Sequence, residues 1–293
     1  MKLLVLYFSG TGNTDYLAHY LARQLADLSI EIELRSIERQ PAETVAGFDA
    51  LAVGFPVYGC DSPPFFQAYL GRLAPGEGRG AFVFCTKGAM AGNAVRRNLE
   101  RLAERGYVPL GGGSVGMPGS DGLALSGKDS WMARSALRKD YDHLKDANRL
   151  SEQMAEVLPG LAAGKPASAF RRPLPRSASG ILLDRLWAFL YKAFADPFRT
   201  RFWADERCQA CGLCAQICPV DNVELRDGHP HFAEHCVLCL RCLHNCPQEA
   251  IQIGNLTVEK FRWHGPKGAF KPLRLRPATS KDGSISLQGD HSL

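Results

Sequence analysis

No run of eighteen apolar residues occurs in this 293-residue chain. A helix crossing a bilayer needs about twenty, so no transmembrane segment is expected. The first residues, MKLLVLYFSGTGNT, hold one lysine, a short apolar run and no small-residue cleavage site. They read as a first β-strand rather than an export signal, which makes the cytoplasm the expected location. Charge of one sign is also scarce: 35 basic against 30 acidic side chains leave +5. The excess is local, with 9 basic against 4 acidic in residues 161–207 and 7 against 3 in residues 255–293. These basic flanks carry no recognition helix, so no nucleic-acid partner is expected. Ten cysteines are far below the density of a disulfide scaffold. The glycine loop Gly10-Thr11-Gly12-Asn13-Thr14-Asp15 is neither G-x-G-x-x-G nor closed by Gly-Lys-Ser/Thr, which argues against a nucleoside triphosphatase.

Eight of the ten cysteines lie in two bursts. Cys208, Cys211, Cys214 and Cys218 precede Pro219, and Cys236, Cys239, Cys242 and Cys246 precede Pro247. Each burst is C-x2-C-x2-C-x3-C-P. Three thiolates two residues apart can wrap one corner of a cubane, and in two-cluster proteins the fourth ligates the other cluster. The expected ligand sets are therefore Cys208, Cys211, Cys214 and Cys246 for one [4Fe–4S] cluster, and Cys236, Cys239, Cys242 and Cys218 for a second. Zinc also accepts four thiolates, but its sites ordinarily use two C-x-x-C pairs. A domain of about 50 residues is too small to rest on its apolar core alone, so cross-ligation would supply much of its stability. His229, His231, His235 and His244 near the bursts read mostly as surface residues, and His244, between ligands Cys242 and Cys246, has tuning of a cluster by charge or hydrogen bonding as a second reading. Cys60 and Cys85 have no spaced partner and read as buried or semi-buried thiols.

The first 160 residues alternate apolar runs with helical patterns. KLLVLYF (2–8), SIEIELRSI (29–37), ALAVGFPVY (50–58), GAFVFCTKG (80–88) and YVPLGGGSVGMPG (107–119) read as strands. Helices fit the stretch after SGTGNT, residues 62–73, residues 91–105 and one long run over 130–159. Alternating β and α predicts a mostly parallel sheet covered on both faces. Ser9-Gly10-Thr11-Gly12-Asn13-Thr14 joins the first strand to a helix N-terminus. Its hydroxyls and free N–H groups suit an anion such as a phosphate.

The SGTGNT loop and the order of elements over residues 1–160 resemble flavodoxin. The resemblance implies an α/β fold, a doubly wound five-stranded parallel sheet, with FMN at the carboxyl ends of the strands. The loop Ser9–Thr14 would hold the FMN phosphate. Pro56, Val57, Tyr58 and Gly59 after the third strand, and Thr86, Lys87 and Gly88 after the fourth, would line the ring, with Tyr58 placed to stack on it. Residues 204–254 resemble bacterial ferredoxins carrying two [4Fe–4S] clusters, which implies a small α+β domain and one-electron transfer. Residues 161–203 read as a linker and an amphipathic helix. Its aromatic and basic residues over 181–203 suit domain docking first and peripheral membrane contact second, and Pro197 is expected to stop or kink it. Residues 255–293 read as a partly disordered extension.

The resulting expectation is an electron-transfer flavoprotein relaying electrons between FMN, two [4Fe–4S] clusters and redox partner proteins. No side chain is needed as acid or base. Two alternatives remain open at this level. One is a flavin-dependent reductase of a small acceptor near Tyr58 and Lys87. The other is a ferredoxin whose flavodoxin-like part has lost flavin and serves for docking.

Overall fold

The computed structural model of the chain describes residues 1–174 and 180–272. Five strands, β1 (Lys2–Tyr7), β2 (Glu31–Ser36), β3 (Ala50–Pro56), β4 (Gly80–Lys87) and β5 (Val108–Gly116), form one parallel sheet in the order β2-β1-β3-β4-β5. This is the flavodoxin-like order, with its switch point between β1 and β3. Side chains alternate across a strand, and β1 divides its residues accordingly. Leu3, Val5 and Tyr7 enter one apolar layer, while Leu4, Leu6 and Phe8 enter the other. Helix α1 (Asn13–Gln24) packs in the first layer. Helices α2 (Pro64–Arg72) and α3 (Ala94–Glu104) pack in the second.

After β5 the chain departs from the expected single helix over 130–159. It forms α4 (Ser120–Leu125), α5 (Trp131–Arg138) and α6 (Lys145–Ala162). The break lies at Asp140, whose carboxylate accepts from the amides of Asp142 (2.9 Å) and His143 (3.2 Å). An Asx-type turn of this kind gives the backbone a partner outside the helix. Tyr141 is buried there and donates its hydroxyl to Ala136 O at 2.7 Å.

Helix α7 (Gly180–Arg199) spans both halves of the molecule. Asp184, fully buried, accepts from Asn93 N at 2.7 Å, and Arg199 Nη1 donates to Cys236 O at 3.0 Å. The helix runs through Pro197 and ends two residues later. Leu186, Phe189 and Leu190 are exposed, as in part is Trp187, which borders the large cavity described below. The expected docking role thus has contacts to both halves. Among the described residues, no helix is long and apolar enough to cross a membrane.

The cysteine region is built on short elements. Strand β6 (Phe202–Ala204) is followed by α8 (Leu213–Gln216), β7 (Val223–Arg226), β8 (His229–Phe232), α9 (Arg241–Asn245) and β9 (Ile251–Ile253). β6 pairs antiparallel with β9, and β7 with β8. The strands after the two bursts therefore do not pair with each other. The apolar core here is small: Phe202, Leu240, Leu243, Ile251 and Ile253, with Ala124 from α4. The chain then turns back over the large sheet. Trp263 is 2% exposed within the α1–α6 layer, and Phe270 covers Gly12. Of the extension expected to be partly disordered, residues 255–272 are packed in this way, and residues 273–293 lie outside the described residues.

Candidate functional site

The sequence repeat is also a backbone repeat. Ala210 and Leu238, twenty-eight residues apart, both have positive φ (55° and 53°), as do Asp221 and Glu249 (52° and 49°). Gly212 and Leu240 both cap their short helices in the left-handed region. Non-glycine residues at positive φ cost about 1 kcal/mol or more each, so the loops are held in a shape that the chain alone does not favour. The same offset recurs at sulfur. Asn222 N–H donates to Cys218 Sγ at 3.2 Å, and Ala250 N–H donates to Cys246 Sγ at 3.3 Å.

The cysteines gather in two groups. Cys208, Cys211, Cys214 and Cys246 line one small cavity, and Cys218, Cys236, Cys239 and Cys242 line another. Each group draws three cysteines from one burst and one from the other. Among the described residues, no three His, Cys, Asp or Glu side chains converge on a point where one metal ion could sit. Four thiols lining one small cavity are the donor set that a [4Fe–4S] cluster takes. Burial pushes Cys239 up to about 12 and Cys214 up to about 11, and raises Cys236 and Cys242. Burial thus favours the thiol form of these four, and metal insertion must expel their protons.

A larger cavity of about 990 Å³ opens at the carboxyl ends of the sheet strands, at the upper end of the range for small-molecule sites. It is lined by Ser9, Gly10, Thr11, Asn13 and Thr14, by Pro56, Val57, Tyr58 and Gly59, and by Thr86, Lys87 and Gly88. Gly12 is the one residue of the expected set outside the lining. Its φ of 99° makes the N-cap turn of α1, its amide donates to Ser9 Oγ at 3.1 Å, and Phe270 packs where a Cβ would stand. Thr14 and Thr86 are buried with their hydroxyls 2.9 Å apart. Hydroxyls and a helix N-terminus without an acidic side chain in the loop fit a phosphate. The cavity also reaches Trp131, Arg138, Lys139 and Trp187, which the sequence reading did not assign.

The large cavity and the second cysteine group share a wall. Leu238, Cys239 and Leu240 line the large cavity. The position of a Cβ on Gly10 lies 2.7 Å from Cys239 O. Tyr58 donates its hydroxyl to Leu238 O at 3.4 Å and leans on Tyr191 of α7, with ring centroids 6.4 Å apart. Burial raises the Tyr58 hydroxyl well above its ordinary value, so it stays neutral.

Several residues at this junction were not expected. Arg241, the one arginine or lysine inside either burst, is 1% exposed and pairs with Glu38. A lone charge among ligand positions was the available signal. His244, read as a surface residue, is fully buried. Its Nδ1 accepts from Trp263 N at 2.9 Å, and its Nε2 lies 3.0 Å from Ser120 O. Burial lowers it to about 3, so the ring is neutral and its Nε2–H donates to Ser120. Replacing His244 by Phe strands a buried donor and acceptor, at about 1–3 kcal/mol for each group. The Trp263 amide of His244→Phe should exchange its hydrogen at least tenfold faster than in the parent protein. His229, His231 and His235 are exposed, as expected.

The strand order gives residues 1–162 a flavodoxin-like fold, and the two cysteine cavities beside it suit iron–sulfur binding. Comparison with known proteins adds the 4Fe-4S binding domain family, whose model matches residues 202–224. An uncharacterized ferredoxin of Methanocaldococcus jannaschii is 41% identical over 56 residues, 18% of this chain and 37% of the relative. The match thus spans little more than a third of that relative's length. Among solved structures, Flavodoxin 2 of Bacillus cereus covers 54% of this chain and 99% of its own at 21% identity and a TM-score of 0.42. An archaeal flavodoxin covers 54% and 99% at 18% identity and 0.39. The rubredoxin oxygen:oxidoreductase of Desulfovibrio gigas covers 55% and 37% at 16% identity and 0.41. The fold assignment rests on the strand order itself.

Proposed function

We propose that the chain relays electrons between FMN in the large cavity and two [4Fe–4S] clusters in the cysteine cavities. Redox partner proteins would feed one end and drain the other. When bound, FMN exchanges one or two electrons and each cluster exchanges one. The ligand sets are Cys208, Cys211, Cys214 and Cys246, and Cys236, Cys239, Cys242 and Cys218. The observation that carries the reading is the shared wall: Leu238, Cys239 and Leu240 line the cavity that the Ser9–Thr14 loop also lines.

The chain's own residues do the positioning. The hydroxyls of Ser9 and Thr11 and the N-terminus of α1 would hold the phosphate. Tyr58, fixed against Leu238 O and Tyr191 and lining the large cavity, would be the aromatic side chain available to a bound flavin next to the second cysteine loop. Neutral Tyr58 brings no charge to that boundary. The N–H groups on Cys218 and Cys246 favour the reduced cluster by stabilising negative charge on sulfur. No side chain needs to transfer a proton.

A reductase of a small acceptor is the second reading. It is favoured by the reach of the cavity beyond the expected flavin set, to Trp131, Arg138 and Lys139. Acceptor-dependent turnover by the isolated protein would separate it from a carrier. The test of the main reading is the iron and flavin content of one anaerobically purified sample. About eight irons and one FMN per chain are expected. Full iron with no flavin, even after FMN is added, would leave a ferredoxin with an empty docking domain.

A further inference from the structure

Arg241 stands between the second-group cysteines Cys239 and Cys242, at the start of the five-residue helix α9. It is 1% exposed. A guanidinium has five N–H donors in a fixed fork, and all five have an acceptor here. Nε donates to Gly10 O at 3.2 Å. Nη2 donates to Ser9 O at 2.7 Å and Glu38 Oε1 at 2.7 Å. Nη1 donates to Glu38 Oε2 at 2.8 Å and Ile217 O at 3.0 Å. Its guanidinium carbon Cζ also lies over the Phe8 ring, 5.6 Å from the centroid. One side chain thereby ties the second cysteine loop, the residue before Cys218, the end of β1 and the phosphate loop.

The contacts to Ser9 O and Gly10 O have a directional consequence. In a trans peptide the C=O and the following N–H point to opposite sides. Drawing the carbonyls of Ser9 and Gly10 towards Arg241 turns the N–H groups of Gly10 and Thr11 the other way, towards the cavity these residues line. Arg241 in turn is placed by a loop whose residues Leu238 and Leu240 sit at positive φ. Ligation of the flanking cysteines by a cluster would offset that strain, since metal-binding free energy can stabilise a fold.

We propose that Arg241 is a positioning residue that links the two sites, so that assembly of the second cysteine group's cluster orders the flavin phosphate loop and raises FMN affinity. This rests on the function proposed above. Linkage is reciprocal, so bound FMN also protects that cluster from loss. The buried Arg241–Glu38 pair adds an electrostatic signature, because the cluster beside it feels the balance of the two charges.

The test uses the full chain with its clusters, purified anaerobically, stripped of flavin and titrated with FMN. Arg241→Gln is expected to weaken FMN binding at least tenfold with iron content unchanged. Arg241→Lys keeps the charge but loses the fork, and should weaken it severalfold. Glu38→Gln removes the opposing charge but leaves Arg241 and its Ser9 and Gly10 acceptors in the chain, and should weaken FMN binding less than Arg241→Gln does. The reduction potential of the adjacent cluster, followed by electron paramagnetic resonance, should fall in Arg241→Gln and rise in Glu38→Gln. The opposite signs report the charge pair beside the cluster, and the FMN affinities report the linkage. If Arg241→Gln fails to hold iron, Arg241→Lys decides. FMN affinities within twofold of the parent in the iron-replete Arg241 variants overturn the linkage. An iron-replete parent protein that takes up no FMN overturns instead the function on which it rests.

Discussion

Cys246→Ala, although in the second burst, is expected to empty the cavity formed by the first. Cys246 lines the same cavity as Cys208, Cys211 and Cys214, while Cys218 lines that of Cys236, Cys239 and Cys242. Loss of one ligand should lower iron from about eight to about four per chain. The identity of the surviving cluster is the sharper readout. Cys208→Ala and Cys246→Ala should give one electron paramagnetic resonance spectrum, and Cys236→Ala and Cys218→Ala another. Only the first pair should keep a cluster beside the flavin cavity, and only that pair should keep parent-like FMN affinity. If Cys246→Ala instead matches Cys236→Ala, each burst ligates its own cluster and the cross-ligated arrangement is wrong.

The second large effect is at Gly10. A methyl group there would meet the backbone oxygen of Cys239 at 2.7 Å, and neither side can swing away as a flexible side chain would. Overpacking of this kind costs about 1–3 kcal/mol, which corresponds to about 5- to 150-fold in a binding constant at 1.4 kcal/mol per tenfold. Gly10→Ala is therefore expected to weaken FMN binding by about tenfold or more and to shift the potential of the adjacent cluster. Gly71→Ala is the matched control: Gly71 lies in α2, away from both sites, and an added Cβ meets nothing within 4 Å. Equal FMN affinity in the two variants would show that the phosphate loop does not depend on its contact with the cysteine loop.

The sheet and the cysteine repeat were legible because their signals are local. Apolar runs of five to nine residues separated by helical patterns announce parallel strands, and the cysteine spacing carries its own chemistry. What escaped depends on contacts made across long stretches of chain. Nothing beside Asp140 in an otherwise helical pattern shows that its carboxylate will cap a turn and split the run over 130–159. His244 looks like any polar residue in a loop until Ser120 and Trp263 close on both ring nitrogens. Arg241 meets Ser9 and Gly10 from more than two hundred residues away. The packing of Trp263 and Phe270 onto the phosphate-loop side is equally remote in sequence, so residues up to 272 that read as part of a tail instead join the core and the site.

The central claim is that flavin and clusters exchange electrons within one chain. It is tested most directly by pulse reduction of the flavin in the anaerobic, fully loaded protein, with cluster absorbance followed at several protein concentrations. The shared wall at Leu238, Cys239 and Leu240 predicts bleaching with a single first-order rate that does not change with concentration, and a slower rate in Gly10→Ala. A rate proportional to protein concentration, or flavin reduction without cluster bleaching, would contradict the intramolecular relay.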